Sequence, residues 1–83
     1  PSARFEKKLK KFVSLHSELR SVIIEVVDTL LFDPLTRKYK CHKLSGSLRG
    51  CYAVSINSTY RITYIFDTDN VYLLNIGSHD DVY

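Results

Sequence analysis

Three short stretches in the second half of this chain carry the reactive side chains. His42-Lys43-Leu44-Ser45-Gly46 supplies one imidazole, and Arg61 is the sole lysine or arginine after Arg49. Gly77-Ser78-His79-Asp80-Asp81-Val82-Tyr83 supplies a second imidazole and a phenol. Histidine titrates near neutrality and can give or accept a proton. Arginine keeps its charge and grips phosphate oxygens through two parallel donors. Two imidazoles, one permanent cation and a phenol are the parts of a metal-free site for cutting RNA. Such chemistry needs a base for the 2′-hydroxyl proton, an acid for the leaving 5′-oxygen and a cation where charge gathers on phosphorus. Each residue also has a plainer reading. His79 can cap a strand or bond Asp80 or Asp81, His42 can be a solvated loop imidazole, and Arg61 can pair with Asp67 or Asp69 across the sheet. His16 is assigned no role.

These side chains need elements to position them. Ser2 is a plausible N-cap, and Phe5, Leu9 and Phe12 follow at helical spacing with lysines between them. His16-Ser17 breaks this helix, and Ser17 is placed to cap the next. Leu19, Val22, Ile23, Val26, Val27 and Leu30 repeat at helical spacing until Asp33-Pro34 stops them. The run Val22-Ile23-Ile24 alone reads equally well as strand, and length decides for helix. Residues 38–44 are an extended segment or loop, and Gly46 and Gly50 bracket a turn. Alternation predicts strands over 50–57 and over Tyr60–Phe66, with Arg61, Thr63 and Ile65 on the face opposite Tyr60, Ile62, Tyr64 and Phe66. Asn57-Ser58-Thr59 and Asp67-Thr68-Asp69-Asn70 are turn sequences. A last strand covers 71–77. The expected fold is α+β: an N-terminal antiparallel helical hairpin packed on an antiparallel meander of three to four strands, one domain over residues 1–83.

Composition narrows the function classes. The chain has 83 residues, 45% apolar, which suits one small folded domain and not a disordered segment. No apolar run approaches the ~20 residues that cross a bilayer, so no membrane partner is expected. Pro1-Ser2-Ala3-Arg4 lacks the pattern of a signal peptide, and a cytoplasmic location is expected. Two cysteines, Cys41 and Cys51, are too few for a disulfide scaffold or a zinc site; a single disulfide between neighbouring strands stays open. No carboxylate cluster suits a divalent ion, so neither metal nor cofactor is expected. Net charge is +3, and eleven of the twelve lysines and arginines fall within residues 4–49. That asymmetry points to a polyanion or an acidic protein. Lys7, Lys8, Lys10 and Lys11 are also what a solvated helix face contains. Arg37, Lys38, Lys40, Lys43 and Arg49, interleaved with Tyr39, suit RNA phosphates and bases together.

Read in order, these motifs resemble the bacterial RelE/ParE superfamily of toxins, and within it the YafQ-like branch. The residues that carry the resemblance are Lys43-Leu44-Ser45-Gly46, Gly50, Tyr60-Arg61-Ile62-Thr63-Tyr64 and Gly77-Ser78-His79-Asp80 with Tyr83, preceded by Pro1 to Phe5 and Lys7-Lys8-Leu9. The resemblance implies a type II toxin, an endoribonuclease that enters the ribosomal A site, contacts ribosomal RNA and cleaves mRNA. It implies restraint by a cognate antitoxin, through which alone DNA is reached. It places Arg61 at the position of a catalytic arginine, His79 at that of a catalytic histidine, His42 at that of a branch-specific histidine and Tyr83 at that of a substrate-contacting aromatic.

On that basis His79 is assigned as acid, His42 as base and Arg61 as the transition-state cation, with exchange of the two proton roles left open. Tyr60 and Tyr83 are candidates to stack on bases, with sheet packing the plainer reading of Tyr60. Three features depart from the family pattern. Relatives open with an edge strand before the first helix, so this sequence is either a fragment or lacks that strand. Ser55 stands where the branch has a histidine, and Asn75 where many relatives have an arginine. Two other functions remain in view: a ParE-like DNA gyrase inhibitor that acts by binding, and a degenerate toxin that only binds its antitoxin.

Overall fold

The computed structural model describes residues 3–83, so the proposed cap at Ser2 lies outside the described residues. Helix α1 spans Ala3–Leu15, and α2 spans Arg20–Phe32. They are followed by strands β1 (His42–Lys43), β2 (Tyr52–Ser55), β3 (Tyr60–Phe66) and β4 (Val71–Ser78), and by a short helix α3 (His79–Val82). The four strands form one antiparallel sheet in chain order. This is the α+β architecture that the alternation and helical periodicity predict.

The apolar stripes explain how the layers meet. Phe5 and Phe12 of α1 and Ile23, Val26 and Leu30 of α2 are buried against Val54, Ile62, Tyr64, Leu73 and Ile76 of the sheet. The ambiguous run at 22–24 is helical because only helical spacing puts Ile23, Val26 and Leu30 on one buried face. Ser17 does not cap α2. It opens a 3-10 turn, Ser17–Leu19, closed by the Leu19 amide donating to the His16 carbonyl, and the cap position of α2 falls to Leu19 without a side-chain bond.

The turns are set by side chains that bond nearby backbone. Asn57 Oδ1 accepts from the amides of Thr59 and Tyr60, and Asp67 Oδ1 from those of Asp69 and Asn70. On β4 the register slips: Thr63 faces Asn75 but Tyr64 faces Leu73, so Leu74 is an extra residue. The slip lets Leu73 and Ile76, three apart, both point into the core.

The loop between α2 and β1 is tied down from below. Tyr64 is fully buried; its hydroxyl donates to the Pro34 carbonyl at 2.6 Å and lies 3.0 Å from Cys41 Sγ. Burial, with Cys41 beside it, pushes this phenol's pKa up. The register His42↔Ala53 sets Cys41 three residues from the level of Cys51, and both thiols are free. The disulfide left open by the sequence is therefore not formed, because the cysteines are out of step on adjacent strands.

Candidate functional site

β3 presents Arg61 and Thr63 on the sheet face away from α1 and α2. Cross-strand partners share a face, so His42, Ala53 and Ser55 lie there too, as do Asn75 and Gly77. Ser55 and Gly77 flank Arg61 directly, one on each neighbouring strand. The small neighbours leave the half-buried guanidinium unobstructed. Among the described residues Arg61 forms no ion pair, so the pairing with Asp67 or Asp69 offered by the sequence does not occur.

α3 brings the chain end back over this face. Tyr83 lies with its ring 5.9 Å from the Arg61 guanidinium carbon, and the His79 imidazole meets the same ring edge-on at 4.4 Å. The sum of those two distances bounds the separation of Arg61 and His79 at about 10 Å, the span of a phosphodiester with its flanking proton-transfer groups. Arg61, His79 and Tyr83 are therefore brought together from two separate segments. His79 is exposed, with Nδ1 3.5 Å from Asp80 Oδ1.

The turn that carries His79 was not foreseen in the sequence. Its signal is Ser78-His79-Asp80-Asp81, a Ser with an acid three residues on. The Ser78 amide and hydroxyl both donate to Asp81 Oδ2, at 3.1 and 2.9 Å. Those bonds, with Lys8 nearby, hold the Asp81 carboxyl below the usual carboxylate range. Asn75 Nδ2 donates to the Asp81 carbonyl at 2.9 Å, and Val82 is buried. Asn75, noted as the replacement for a cation, here fastens α3 to the sheet. Gly77 makes room for it: a Cβ there would sit 2.7 Å from Asp81 Cβ.

His42 joins from the other side. It is exposed on the same face, two strands over and two residues along from Arg61, a backbone separation of about 12 Å. Its Nδ1 lies 2.9 Å from the Lys40 carbonyl. A carbonyl can only accept, so Nδ1 carries the proton and the neutral ring keeps its lone pair on Nε2. Tyr39 and Lys40 hold left-handed backbone angles, φ 60° and 51°, and form the turn that presents that carbonyl.

The remaining candidates divide. Arg37, Lys38, Lys40, Lys43 and Arg49 are all exposed, but Lys43 points to the opposite face from its neighbour His42. Tyr60 does not join Arg61: it lies on the helix side, its ring edge-on to Phe12 at 5.0 Å and 4.7 Å from His16. Strand alternation alone separates the two neighbours, so of the two readings of Tyr60 the structure favours packing. No group of three or more His, Cys, Asp or Glu among the described residues is placed to hold a metal ion.

With this geometry in hand, the comparison with known proteins is specific. No curated protein sequence matches. Among solved structures, a copper-bound mutant toxin from Helicobacter pylori is 28% identical, with a TM-score of 0.81 over 99% of this chain and 93% of that one. YafQ from E. coli superposes with a TM-score of 0.83 at 18% identity, covering 99% of this chain and 92% of that one. The E. coli DinJ-YafQ complex gives 0.81 at 18% identity over the same shares, and these two show likeness of fold. A family model described as the bacterial toxin of type II toxin-antitoxin system, YafQ, matches residues 1–83, and the chain belongs to that family of toxins.

Proposed function

We propose that this toxin is a metal-independent endoribonuclease that cleaves mRNA in the ribosomal A site. The observation that carries the reading is the meeting of Arg61, His79 and Tyr83 on one sheet face. An unpaired guanidinium beside a phenol and an imidazole suits a phosphate, its flanking base and its leaving group. His42 acts as base through Nε2, whose lone pair the Lys40 carbonyl keeps free by holding the proton on Nδ1. His79 acts as acid, with its Nδ1 oriented by the Asp80 carboxylate 3.5 Å away. Arg61 holds the non-bridging oxygens as charge builds on phosphorus. Tyr83 stacks against a base. The exposed cations Arg37, Lys38, Lys40 and Arg49 follow the RNA backbone.

The proposed restraint is an acidic antitoxin that covers these cations and the Arg61 cleft. A second anchoring point is the outer edge of β4. Beside it a groove of about 560 Å³ is lined by Arg4, Lys7, Lys8 and Lys11 with Leu74 and Asn75, which suits an acidic strand.

The test is cleavage of mRNA on programmed ribosomes by the purified protein. The products should carry a 2′,3′-cyclic phosphate and a 5′-hydroxyl, and a 2′-deoxy group upstream of the cut should stop the reaction. Undiminished cleavage of the deoxy substrate refutes the chemistry. Growth arrest with intact mRNA and inhibited gyrase would establish the ParE-like alternative instead.

A further inference from the structure

The surface at the far end of β3 and β4 differs in chemistry from everything described above. The end of α2 leaves Leu31, Phe32 and Leu35 exposed, at 55%, 94% and 59%, and Tyr72 on β4 at 41%. Between α2 and the β3–β4 turn runs a groove of about 380 Å³, whose walls include Leu31, Phe32, Pro34, Asp67, Asp69 and Tyr72. No lysine or arginine lines it. Its rim is acidic: Asp33 follows Phe32 in the chain, and Asp67 and Asp69 stand opposite. In a chain of net charge +3 this is the exception.

The groove is preformed. Asp67 Oδ1 accepts from the amides of Asp69 and Asn70, at 2.9 and 2.8 Å, and Asp67 Oδ2 accepts from the Tyr72 hydroxyl at 2.9 Å. Pro34 on the other wall is fixed by the Tyr64 hydroxyl. A largely exposed phenylalanine beside a fixed groove of mixed polar and apolar lining is a docking feature more than a packing one.

The charge selects the occupant. Carboxylates without cations repel phosphates, which argues against nucleic acid and anionic membrane. A second copy is the competing occupant, since α1 and α2 offer Leu9, Val13 and Ile24 beside Lys10 and Arg20, and the titration below separates it from a different protein. We infer that the end of α2 and the β3–β4 turn form a docking surface for a protein segment that presents large apolar side chains flanked by lysine or arginine. The partner's apolar side chains cover Phe32 and Leu31, and its cations meet Asp67 and Asp69. This surface is independent of the nuclease reading.

The experiment is an NMR titration of the ¹⁵N-labelled chain with three probes: a synthetic amphipathic helix of Leu and Lys, its Leu/Glu counterpart and a single-stranded RNA. The Lys peptide should shift the amides of Leu31, Phe32, Asp69 and Tyr72, and Phe32→Ser and Asp69→Asn should each weaken it by about tenfold with the thermal midpoint unchanged. Equal binding of the Glu peptide, RNA shifts at these amides, absence of Lys-peptide shifts there, or concentration-dependent shifts of the same amides without peptide would each overturn the assignment, the last in favour of self-association.

Discussion

Gly77→Ala tests whether the site depends on how α3 is seated. An added Cβ would lie 2.7 Å from Asp81 Cβ and 2.9 Å from Asp81 Oδ2. Asp81 has little freedom to retreat, since Ser78 and Asn75 hold its carboxylate and its carbonyl. Overpacking of this kind costs about 1–3 kcal/mol. Burial of Val82, the main apolar contribution of α3, is worth about 1.5–3 kcal/mol. The two are comparable, so α3 should lift from the sheet while the core between α1, α2 and the strands stays intact. A shift of ~2 kcal/mol changes the docked population by about thirtyfold. Because His79 and Tyr83 leave with α3, RNA cleavage should fall by about 10- to 100-fold, with the thermal midpoint lowered by about 4–8 °C for each kcal/mol of docking lost. Cleavage rate, calorimetry and exchange of the Tyr83 amide, which donates to the His79 carbonyl at 3.0 Å, report the three quantities separately. A variant with wild-type cleavage and a protected Tyr83 amide would refute the argument, and a collapsed midpoint would show that α3 is part of the core.

His79→Ala should lower cleavage by about 10²–10⁴-fold with antitoxin binding largely kept, and Arg61→Lys should recover little over Arg61→Ala, because a point charge does not reproduce the planar fork; single-turnover rates measure both. Tyr64→Phe leaves the half-buried Pro34 carbonyl without its donor and should cost about 1–3 kcal/mol in urea unfolding, with no loss of apolar packing. The Asp81 carboxyl is depressed in the folded state, so its contribution is present above the ordinary carboxylate pKa and is lost as pH falls through the lower folded value. Tyr83 amide protection should accordingly hold from neutrality to mild acid and fade below the usual carboxylate range, and Asp81→Asn should remove that dependence. Antitoxin binding should weaken as salt rises from low to high ionic strength, since exposed lysines and arginines carry the proposed contact; an affinity indifferent to salt counts against it.

Much of this protein is determined locally. The spacing of Phe5, Leu9 and Phe12, and of Ile23, Val26 and Leu30, sets two helices and their buried faces. Alternation along Tyr60–Phe66 sets a strand with Ile62 inward and Arg61 outward. Asn57 and Asp67 shape their turns through bonds to their own backbone. The residues of the candidate site were legible for the same reason: an isolated arginine on a strand and a histidine near a phenol are features of type and spacing. What meets what was not legible. The bulge at Leu74 arises because Leu73 and Ile76 both gain burial by facing the core, a choice that exists only against the packed helices. Tyr60 leaves its neighbour Arg61 to pack on Phe12 and His16, residues more than forty positions earlier in the chain. Cys41 and Cys51 miss each other because pairing between β1 and β2 follows the ladder and not the cysteines. α3 folds back because Val82 finds apolar cover and the Asp81 carbonyl finds a donor on the sheet in Asn75, while Gly77 leaves the space. Sequence therefore determines periodicity and reactive type. Burial and register, which are non-local, decide that Arg61, His79 and Tyr83 share one surface.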